Sequence, residues 1–253
     1  MQNLKRKILS QNFLHSRKLV KKLILGSSID KSDTILEIGF GKGIITQQLI
    51  QNAKNVIAIE LDTHWYNYLQ VKLNGSRNLK LYNEDFLNFS LPKIPYKVFS
   101  NIPFSIEGKI IRKIIDDENP PKDCYLIMMK ELAYRLSAPY KENEFSIMHK
   151  PWFNFSIYYH FKPEDFTPFS NVSAVMLRFM KRRKPLVTLG NKNDYQKFIR
   201  LGFTYGLPIF KNLKNTYGYK RTLNAFNQTN INKSTKPGFL SLEKWTQLYE
   251  ELQ

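Results

Sequence analysis

The sequence predicts an α/β fold in which a doubly wound, Rossmann-like sheet is followed by a small all-helical domain. Within residues 34–129, short apolar runs that end in glycine or acidic residues alternate with helical patterns, as in parallel sheets built from strand–helix–strand units. Beyond residue 183 the apolar residues recur only at helical spacing. We therefore place a sheet domain with a basic N-terminal arm at 1–183 and a helical domain at 184–253.

The strands and helices follow one another in a regular order. After a helical pattern at SRKLVKKLILGSS, strands are predicted at TILEIG, NVIAIELD, LKLYNED, KVFSNIPF and DCYLIMMK. The helices between them are predicted at IITQQLIQNA, THWYNYLQVKL and SIEGKIIRKIID. Two later runs, WFNFSIYYHF and AVMLRFM, predict an antiparallel pair at one edge of the sheet. The last domain is predicted to have helices at NDYQKFIRLGFTYG, from Thr222 to Phe226, and at SLEKWTQLYEEL.

The charge balance indicates a polyanionic partner. The chain has 253 residues, and 39 Lys and Arg against 21 Asp and Glu give a formal net charge of +18. Such an excess favours nucleic acid over an anionic membrane surface. No apolar run approaches the roughly 18 residues of a membrane span, and the N-terminus lacks the apolar stretch of a signal peptide. We expect a cytoplasmic monomer that does not bind membranes.

Cysteine and histidine usage predicts no metal site. Cys124 is the single cysteine, which excludes a disulfide within the chain and a cysteine-rich metal site. The four histidines have no metal-ligand spacing. Cys124 lies in the apolar run CYLIMM and is predicted to be a buried strand residue.

Three sites at predicted strand ends point to adenosine recognition. Gly39 and Gly41 begin a G-x-G-x-G cluster, whereas a dinucleotide fingerprint reads G-x-G-x-x-G. Glu60 ends the second strand, where a carboxylate can accept both ribose hydroxyls, and Asp85 ends the third, where it can accept an adenine amine. Ligands bind at the carboxyl ends of such strands. Together the sites favour S-adenosylmethionine over NAD, although a glycine cluster alone is also typical of an ordinary strand-to-helix turn.

The run Asn101-Ile102-Pro103-Phe104 ends the fourth predicted strand. An adenine N6 amine is a poor nucleophile because its lone pair is conjugated into the ring. The Asn101 side-chain oxygen and the Ile102 carbonyl can hold both N–H groups, Pro103 removes a competing donor, and Phe104 offers a face for the base, which must be flipped out to reach it. The alternative interpretation is an ordinary Asn-x-Pro turn.

Six stretches in this order resemble a known family. The sequence is similar to the Erm family of 23S ribosomal RNA adenine N6-methyltransferases and to their relatives, the KsgA/Dim1 small-subunit rRNA dimethyltransferases. The resemblance implies methyl transfer from S-adenosylmethionine to adenine N6 in ribosomal RNA, with a catalytic domain at 1–183. Lys42 between two glycines and Ile102 after Asn101 favour the Erm family over the KsgA/Dim1 enzymes. The matching stretches are SQNFL (10–14), EIGFGKG (37–43), AIELD (58–62), NEDF (83–86), SNIPF (100–104) and EDFTP (164–168).

The resemblance also implies residue roles. Gln11 and Asn12 would close over the cofactor, Leu61 would pack on its adenine, and Phe166 would flank the target base opposite Phe104. The loop after Phe166 departs from the family pattern F-x-P-x-P-K/R-V-x-S, because the second proline and the following basic residue are absent. The full set of implied cofactor-binding residues is Gln11, Asn12, Leu14, Gly39, Gly41, Glu60, Leu61, Asp85, Phe86 and Asn101.

Basic residues near the predicted site are candidates for phosphate contacts, which would make RNA binding dependent on salt. They are Lys5, Arg6, Lys7, Arg112, Lys113, Arg135, Lys181, Arg182, Arg183 and Lys184.

Three candidate functions follow from the sequence. The favoured one is methylation of 23S rRNA that confers macrolide, lincosamide and streptogramin B resistance. The alternatives are a KsgA-like small-subunit dimethyltransferase in ribosome maturation and a non-catalytic RNA-binding assembly factor.

Overall fold

The computed structural model describes residues 13–138, 141–169 and 173–253. Within them the chain forms two compact units: 13–133 with Ser156–Lys181, here called the sheet unit, and Tyr134–Phe155 with Arg182–Gln253, the helical unit. The segment 134–155 thus belongs to the helical unit, whereas the sequence analysis placed it in the sheet domain. Five predicted site residues lie outside the described residues: Lys5, Arg6, Lys7, Gln11 and Asn12.

A seven-stranded sheet forms the centre of the sheet unit and confirms the predicted fold class. The strands of the described chain are β1 (Phe13–Leu14), β2 (Thr34–Ile38), β3 (Asn55–Glu60), β4 (Leu79–Asn83), β5 (Lys97–Asn101), β6 (Asp123–Met129), β7 (Phe153–His160), β8 (Phe166–Thr167) and β9 (Ala174–Lys181). The spatial order in the large sheet is β4-β3-β2-β5-β6-β9-β7. Strands β2 to β6 pair with one another in parallel, β9 runs antiparallel to β6, and β7 lies at the edge beyond β9.

Helices follow the parallel strands as predicted. The predicted helices are α1 (Arg17–Leu25), which precedes β2, and α2 (Ile44–Asn52), α3 (Thr63–Lys72) and α4 (Glu107–Asp116), which follow β2, β3 and β5. Helix α5 (Lys130–Ser137), which begins in this unit, was not predicted. Side chains cap two of them, because Ser16 accepts from Leu19 N at 3.2 Å and Asp62 accepts from His64 N at 2.9 Å. All five residues of β2 are buried, as expected for a strand covered on both faces. Cys124 is fully buried in β6, as predicted.

The strand order reverses between β2 and β5. From β2 the chain continues to β3 and β4 on one side, then returns to β5 on the other. The carboxyl ends of β2 and β5 therefore lie side by side at a topological switch point, where doubly wound sheets bind their ligands. This arrangement positions the site described below.

Two very short strands were not predicted. β1 and β8 pair antiparallel, with Phe13 opposite Thr167 and Leu14 opposite Phe166. His15 N extends the pairing by donating to Asp165 O at 3.4 Å. Two residues are too few to show the alternation by which a strand is recognised in a sequence. The pair nevertheless ties the start of the described chain to the segment that carries Phe166.

The helical unit confirms the all-helical C-terminal prediction. Its helices are α6 (Glu144–His149), α7 (Lys192–Phe203), α8 (Ile209–Tyr217), α9 (Tyr219–Gln228) and α10 (Leu242–Glu251). Phe198 lies at its centre, with its ring centroid 5.7 Å from that of Trp245 and 5.4 Å from that of Tyr249. Helix α8 was not predicted, because nine residues between Pro208 and Gly218 show little more than two turns of periodicity. In the described part of the chain, no helix has the length and apolarity needed to span a membrane.

Candidate active site

A cleft of about 240 Å³ opens at the carboxyl ends of the parallel strands. Most of its lining residues come from the glycine cluster, the end of β3 and the segments that follow β4 and β5. The cleft therefore brings together the three sequence motifs that pointed to adenosine. Its lining residues are Phe13, Ile38, Gly39, Gly41, Ile59, Glu60, Leu61, Glu84, Asp85, Phe86, Leu87, Asn101, Ile102, Pro103, Ser105, Ile106 and Ile110.

The glycine loop follows a path that side chains would obstruct. Gly39 and Gly41 have φ values of 70° and 48°, in the left-handed region that favours glycine. Gly39 N donates to Ile59 O at 2.8 Å, which ties the loop to β3. A Cβ added to Gly41 would lie 2.5 Å from Phe13 Cε1. The ring of Phe13 thus packs directly on this loop, and that contact requires the glycine.

Glu60 holds the loop from the end of β3. One carboxylate oxygen accepts from Gly41 N at 2.8 Å, and the other accepts from Asp62 N at 2.9 Å. Burial raises the pKa of Glu60 above its ordinary value, while these two hydrogen bonds lower it. Each oxygen has a second lone pair, so the carboxylate that fixes the loop also retains acceptor capacity at the cleft.

Asp85 and Phe86 form the wall that follows β4. Asp85 Oδ1 accepts from Leu87 N at 2.8 Å, and Phe86 lines the cleft although little of its ring is exposed. Lys113 Nζ donates to Leu87 O at 2.9 Å and lies 5.7 Å from the centroid of the Phe86 ring. Lys113 thus has a structural role in this wall, and its contact with RNA stays a prediction. Its ammonium group supports the wall of the cleft by contacting the Leu87 carbonyl and the Phe86 ring.

The opposite wall is formed by Asn101, Ile102 and Pro103 at the end of β5. Ile102 N donates to Ile127 O at 3.2 Å, so β6 fixes the segment from behind, and Ile106 N donates to Pro103 O at 3.2 Å within the short turn Phe104–Ile106. The predicted amine-binding segment and the predicted adenosine-binding loop therefore line one cleft. The chemical roles of its residues stay predictions.

Both rings expected to flank the target base are buried. Phe104 is 6% exposed and Phe166 is 1% exposed, and neither lines the cleft. Phe166 belongs to the same hydrophobic cluster as Phe104 and packs against Phe161, with 5.5 Å between ring centroids. In this conformation Phe166 is a core residue, and a base could stack on it only if it moved. Phe169, three residues later, is 69% exposed.

Glu37 is a buried carboxylate beside the glycine loop that the sequence analysis did not assign to the site. It lines a smaller cavity together with Leu14, Gly39 and Asn101. Among the described residues its Oε2 atom has no hydrogen-bond partner. Burial raises its pKa to about 8, hydrogen bonding with Thr46 lowers it, and the charge of Glu60 raises it further. Such an oxygen suits a cationic or N–H-donating ligand group, and S-adenosylmethionine carries an ammonium group that fits this description.

Phe13 is one of eight lining residues of the cleft that sequence reasoning missed. Its ring is edge-on to Trp65 at 5.5 Å, and Lys42 Nζ lies 5.1 Å from the Phe13 centroid and 5.9 Å from that of Trp65. The only signal was its position inside the SQNFL stretch, next to residues that the resemblance assigned to the cofactor. Leu14, which was assigned to the cofactor, lines the smaller cavity and not the main cleft.

The remaining basic candidates divide into free and engaged side chains. Arg182 is engaged, because its Nε donates to Lys150 O at 2.8 Å and burial lowers its pKa. Arg182 therefore has a structural role in the helical unit, and its contact with phosphate stays a prediction. The others are exposed and stay candidates: Arg112, Arg135, Lys181, Arg183 and Lys184. Over the described ranges, no group of three or more His, Cys, Asp or Glu residues could hold a metal ion.

Known proteins resemble the chain over nearly its full length. A curated rRNA adenine N-6-methyltransferase of Bacteroides fragilis is 29% identical over 245 residues, covering 96% of this chain and 91% of the relative. Ribosomal RNA small subunit methyltransferase A of Latilactobacillus sakei is 27% identical over 261 residues, covering 96% and 88%. Among solved structures, the 23S rRNA methyltransferase ErmE superposes with a TM-score of 0.85 at 24% identity, covering 95% of this chain and 99% of that one.

A dimethyladenosine transferase from Plasmodium falciparum also shares the fold, with a TM-score of 0.80 at 21% identity over 94% of this chain and 96% of the other. At these identities the structural matches establish the fold, including the helical C-terminal region. The family model of ribosomal RNA adenine dimethylases matches residues 2–253. The chain therefore belongs to the ribosomal RNA adenine dimethylase family, whose members are S-adenosylmethionine-dependent rRNA adenine N6-methyltransferases.

Proposed function

We propose that this enzyme methylates the N6 amine of an adenine in 23S rRNA and thereby confers resistance to macrolides, lincosamides and streptogramin B. The observation that carries the proposal is the common cleft. Asn101, Ile102 and Pro103 line it together with Gly41 and Glu60. A methyl donor held by the second set would lie within reach of an amine held by the first.

S-adenosylmethionine, when bound, supplies a methyl group on a positively charged sulfur atom, which is a good leaving group. Glu60 would accept hydrogen bonds from the ribose hydroxyls with its remaining lone pairs, and Asp85 would accept one from the adenine amine. Glu37 would accept from the ammonium group with its unpartnered Oε2. The glycine loop would let the ligand approach the backbone closely, because no side chain stands in the way.

On the target side, the protein would activate a weak nucleophile by holding it. The Asn101 side-chain oxygen and the Ile102 carbonyl would accept the two N–H groups of the target amine, which turns its lone pair out of the ring plane and toward the methyl group. Pro103 has no N–H to compete for those acceptors. After transfer the nitrogen is a strong acid and releases its proton to water. The rate enhancement would then come from positioning and electrostatics.

The choice of 23S rRNA rests on two residues and on the relatives. Lys42 and Ile102 match the Erm pattern within the cofactor and target motifs, and the structure that superposes with a TM-score of 0.85 is that of the 23S rRNA methyltransferase ErmE. The second candidate is methylation of small-subunit RNA. It is favoured by the 27% identity to small subunit methyltransferase A of Latilactobacillus sakei.

Labelled methyl transfer separates the two targets. Purified protein is incubated with labelled S-adenosylmethionine and either protein-free 23S RNA or immature 30S particles. We expect labelling of 23S RNA alone, and increased macrolide tolerance when the protein is expressed in a sensitive bacterium. Asn101→Ala should abolish both effects. Labelling of 30S particles alone, with unchanged macrolide sensitivity, would establish the second candidate.

A further inference from the structure

The helical unit contains a long stretch without any acidic residue. Between Asp194 and Glu243 the chain carries only basic charges: Lys197, Arg200, Lys211, Lys214, Lys220, Arg221, Lys233 and Lys236. Two of these side chains are engaged, because Lys197 faces Asp194 at 3.6 Å and Arg221 donates to the carbonyls of Leu252 and Gln253. The others contribute only positive charge to this part of the helical unit, and positive charge attracts a polyanion.

Within this stretch a strained turn presents an aromatic ring to water. Tyr205 lies between α7 and α8 with φ 55° and ψ 12°, in the left-handed region, and Gly206 follows with φ 61°. Tyr205 is 90% exposed, the highest value among the large hydrophobic residues of the described chain. A tyrosine in this backbone region is uncommon and is worth explaining by function. Its ring stabilises no packing, so the fold itself does not require it.

Buried contacts fix this turn in place. Asn212, which is almost fully buried, donates to Gly202 O at 3.0 Å and to Thr204 O at 2.8 Å. Thr204 Oγ1 also donates to Arg200 O at 3.1 Å. These bonds satisfy carbonyls at the end of α7. Because the backbone on both sides is held, Tyr205 is a preorganised feature of the surface.

A second exposed ring and a lysine loop lie around the same helix. Ile209 N, at the start of α8, donates to Thr235 O at 3.0 Å, which joins the turn to the loop that carries Lys233 and Lys236. Lys233 Nζ lies 5.4 Å from the centroid of Phe210 and 5.9 Å from that of Tyr219. Tyr219 is 55% exposed and packs edge-on against Phe210 at 5.6 Å.

We propose that this surface binds a single-stranded segment of the substrate RNA. It consists of Tyr205, Lys211, Tyr219, Lys220, Lys233 and Lys236. Exposed aromatic rings give bases a stacking face, and neighbouring lysines neutralise phosphates, which is how proteins bind single strands without reading sequence. Duplex RNA keeps its bases stacked and leaves such rings unused. The inference rests on the proposed function and deepens it, since it names a contact to RNA by residues that do not line the cleft.

Tyr205→Gly in the full chain separates binding from folding. Glycine adopts the left-handed conformation without strain, so the thermal midpoint should be no lower than that of the wild type. The loss of one stacked base should raise the Kd for a fluorescein-labelled single-stranded oligoribonucleotide roughly 5- to 150-fold. Tyr205→Phe should restore affinity. An unchanged Kd for Tyr205→Gly would overturn the proposal.

Charge variants test the lysines independently. Lys233→Gln with Lys236→Gln should weaken binding and reduce the slope of log K against log salt by about 0.7 for each phosphate that is no longer neutralised. The matched control is Lys54→Gln with Lys93→Gln, which removes the same two charges from exposed positions before β3 and β5 and should leave Kd and slope unchanged. Equal effects of the control and the test variants would overturn the assignment, because they would show a response to net charge alone.

Two further readouts identify the partner. Wild-type binding to phosphatidylglycerol vesicles that is abolished in Tyr205→Gly, with RNA affinity unchanged, would assign the surface to membranes and overturn the proposal. The oligoribonucleotide assay measures binding and does not depend on methyl transfer. Its result therefore tests this surface even if neither 23S RNA nor 30S particles are labelled and the proposed function fails. Conversely, normal methylation by variants with unchanged RNA affinity would leave the proposed function intact and remove this surface from it.

Discussion

The Ser100 hydroxyl holds both backbone groups of Ile38. It accepts from Ile38 N at 3.1 Å and donates to Ile38 O. The paired registers of β2 and β5 end at Leu36 and Val98, so this side chain continues the connection where the backbone ladder stops. Ile38 precedes the glycine loop and Ser100 precedes Asn101. One hydroxyl therefore fixes the two walls of the cleft relative to each other.

Ser100→Ala should damage stability and catalysis together. The substitution leaves the N–H and C=O of Ile38 without their partner in a fully buried place, at a cost of about 1–3 kcal/mol for each unsatisfied group. We expect a lower free energy of unfolding in urea and a kcat that falls more than the affinity for S-adenosylmethionine. Ser90→Ala, at an exposed serine, is the control. Wild-type kcat in Ser100→Ala would show that the bridge does not position the walls.

A pair of glycines tests the contact between Phe13 and the loop. Gly41→Ala places a Cβ 2.5 Å from the Phe13 ring at φ 48°, whereas Gly75→Ala suffers similar backbone strain at φ 91° but meets no atom within 4 Å. Calorimetry should show weaker S-adenosylmethionine binding for Gly41→Ala and unchanged binding for Gly75→Ala. If both variants bind S-adenosylmethionine equally weakly, the backbone strain at the substituted glycine weakens binding and the displaced Phe13 ring does not.

The long elements and the cleft could be predicted because each depends on local pattern. The end of β3 at Glu60 and the glycine turn are readable from periodicity and residue type. Phe13 and Phe166 could not be placed, since their environment depends on a pairing between segments some 150 residues apart. Tyr205 was predicted to be part of a helix, because a single left-handed residue leaves the apolar spacing of NDYQKFIRLGFTYG unchanged.

Glu37 should make stability depend on pH. Its pKa is raised from 4.5 to about 8 in the folded chain, so between these values the folded state binds more protons than the unfolded state. The free energy of unfolding should then fall as pH rises through this window, by up to about 1.4 kcal/mol per pH unit. Glu37→Gln should remove that dependence when urea midpoints are compared from pH 5 to 9. Parallel curves for the two proteins would contradict it.

Neighbouring residues on α4 separate a phosphate contact from a structural lysine. Arg112 is exposed, whereas Lys113 is held by Leu87 O. Arg112→Ala should weaken rRNA binding and reduce the salt slope by about one unit. Lys113→Ala should leave that slope unchanged and should instead disturb the wall formed by Phe86. The measurement is fluorescence anisotropy over a range of KCl concentrations, and identical slopes for both variants would remove Arg112 from the RNA contacts.

Phe166 and Phe169 lie three residues apart and differ in burial, 1% against 69% exposed. Phe166→Ala should lower the free energy of unfolding by about 3–5 kcal/mol, because it empties a core position. Phe169→Ala should leave stability within about 0.5 kcal/mol. If the exposed ring is the one that meets the extruded base, Phe169→Ala should reduce methyl transfer at unchanged stability, and Phe169→Tyr should restore it.

Urea unfolding and labelled methyl transfer, measured on the same protein preparations, distinguish a role in core packing from a role in contacting the target base. Phe166→Leu retains most of the core volume and removes the aromatic face. Normal methyl transfer by Phe166→Leu, with a reduced rate in Phe169→Ala, would assign base contact to Phe169 and packing to Phe166. Abolished methyl transfer in Phe166→Leu at wild-type stability would instead support base stacking on Phe166, which then has to leave the cluster that it shares with Phe161.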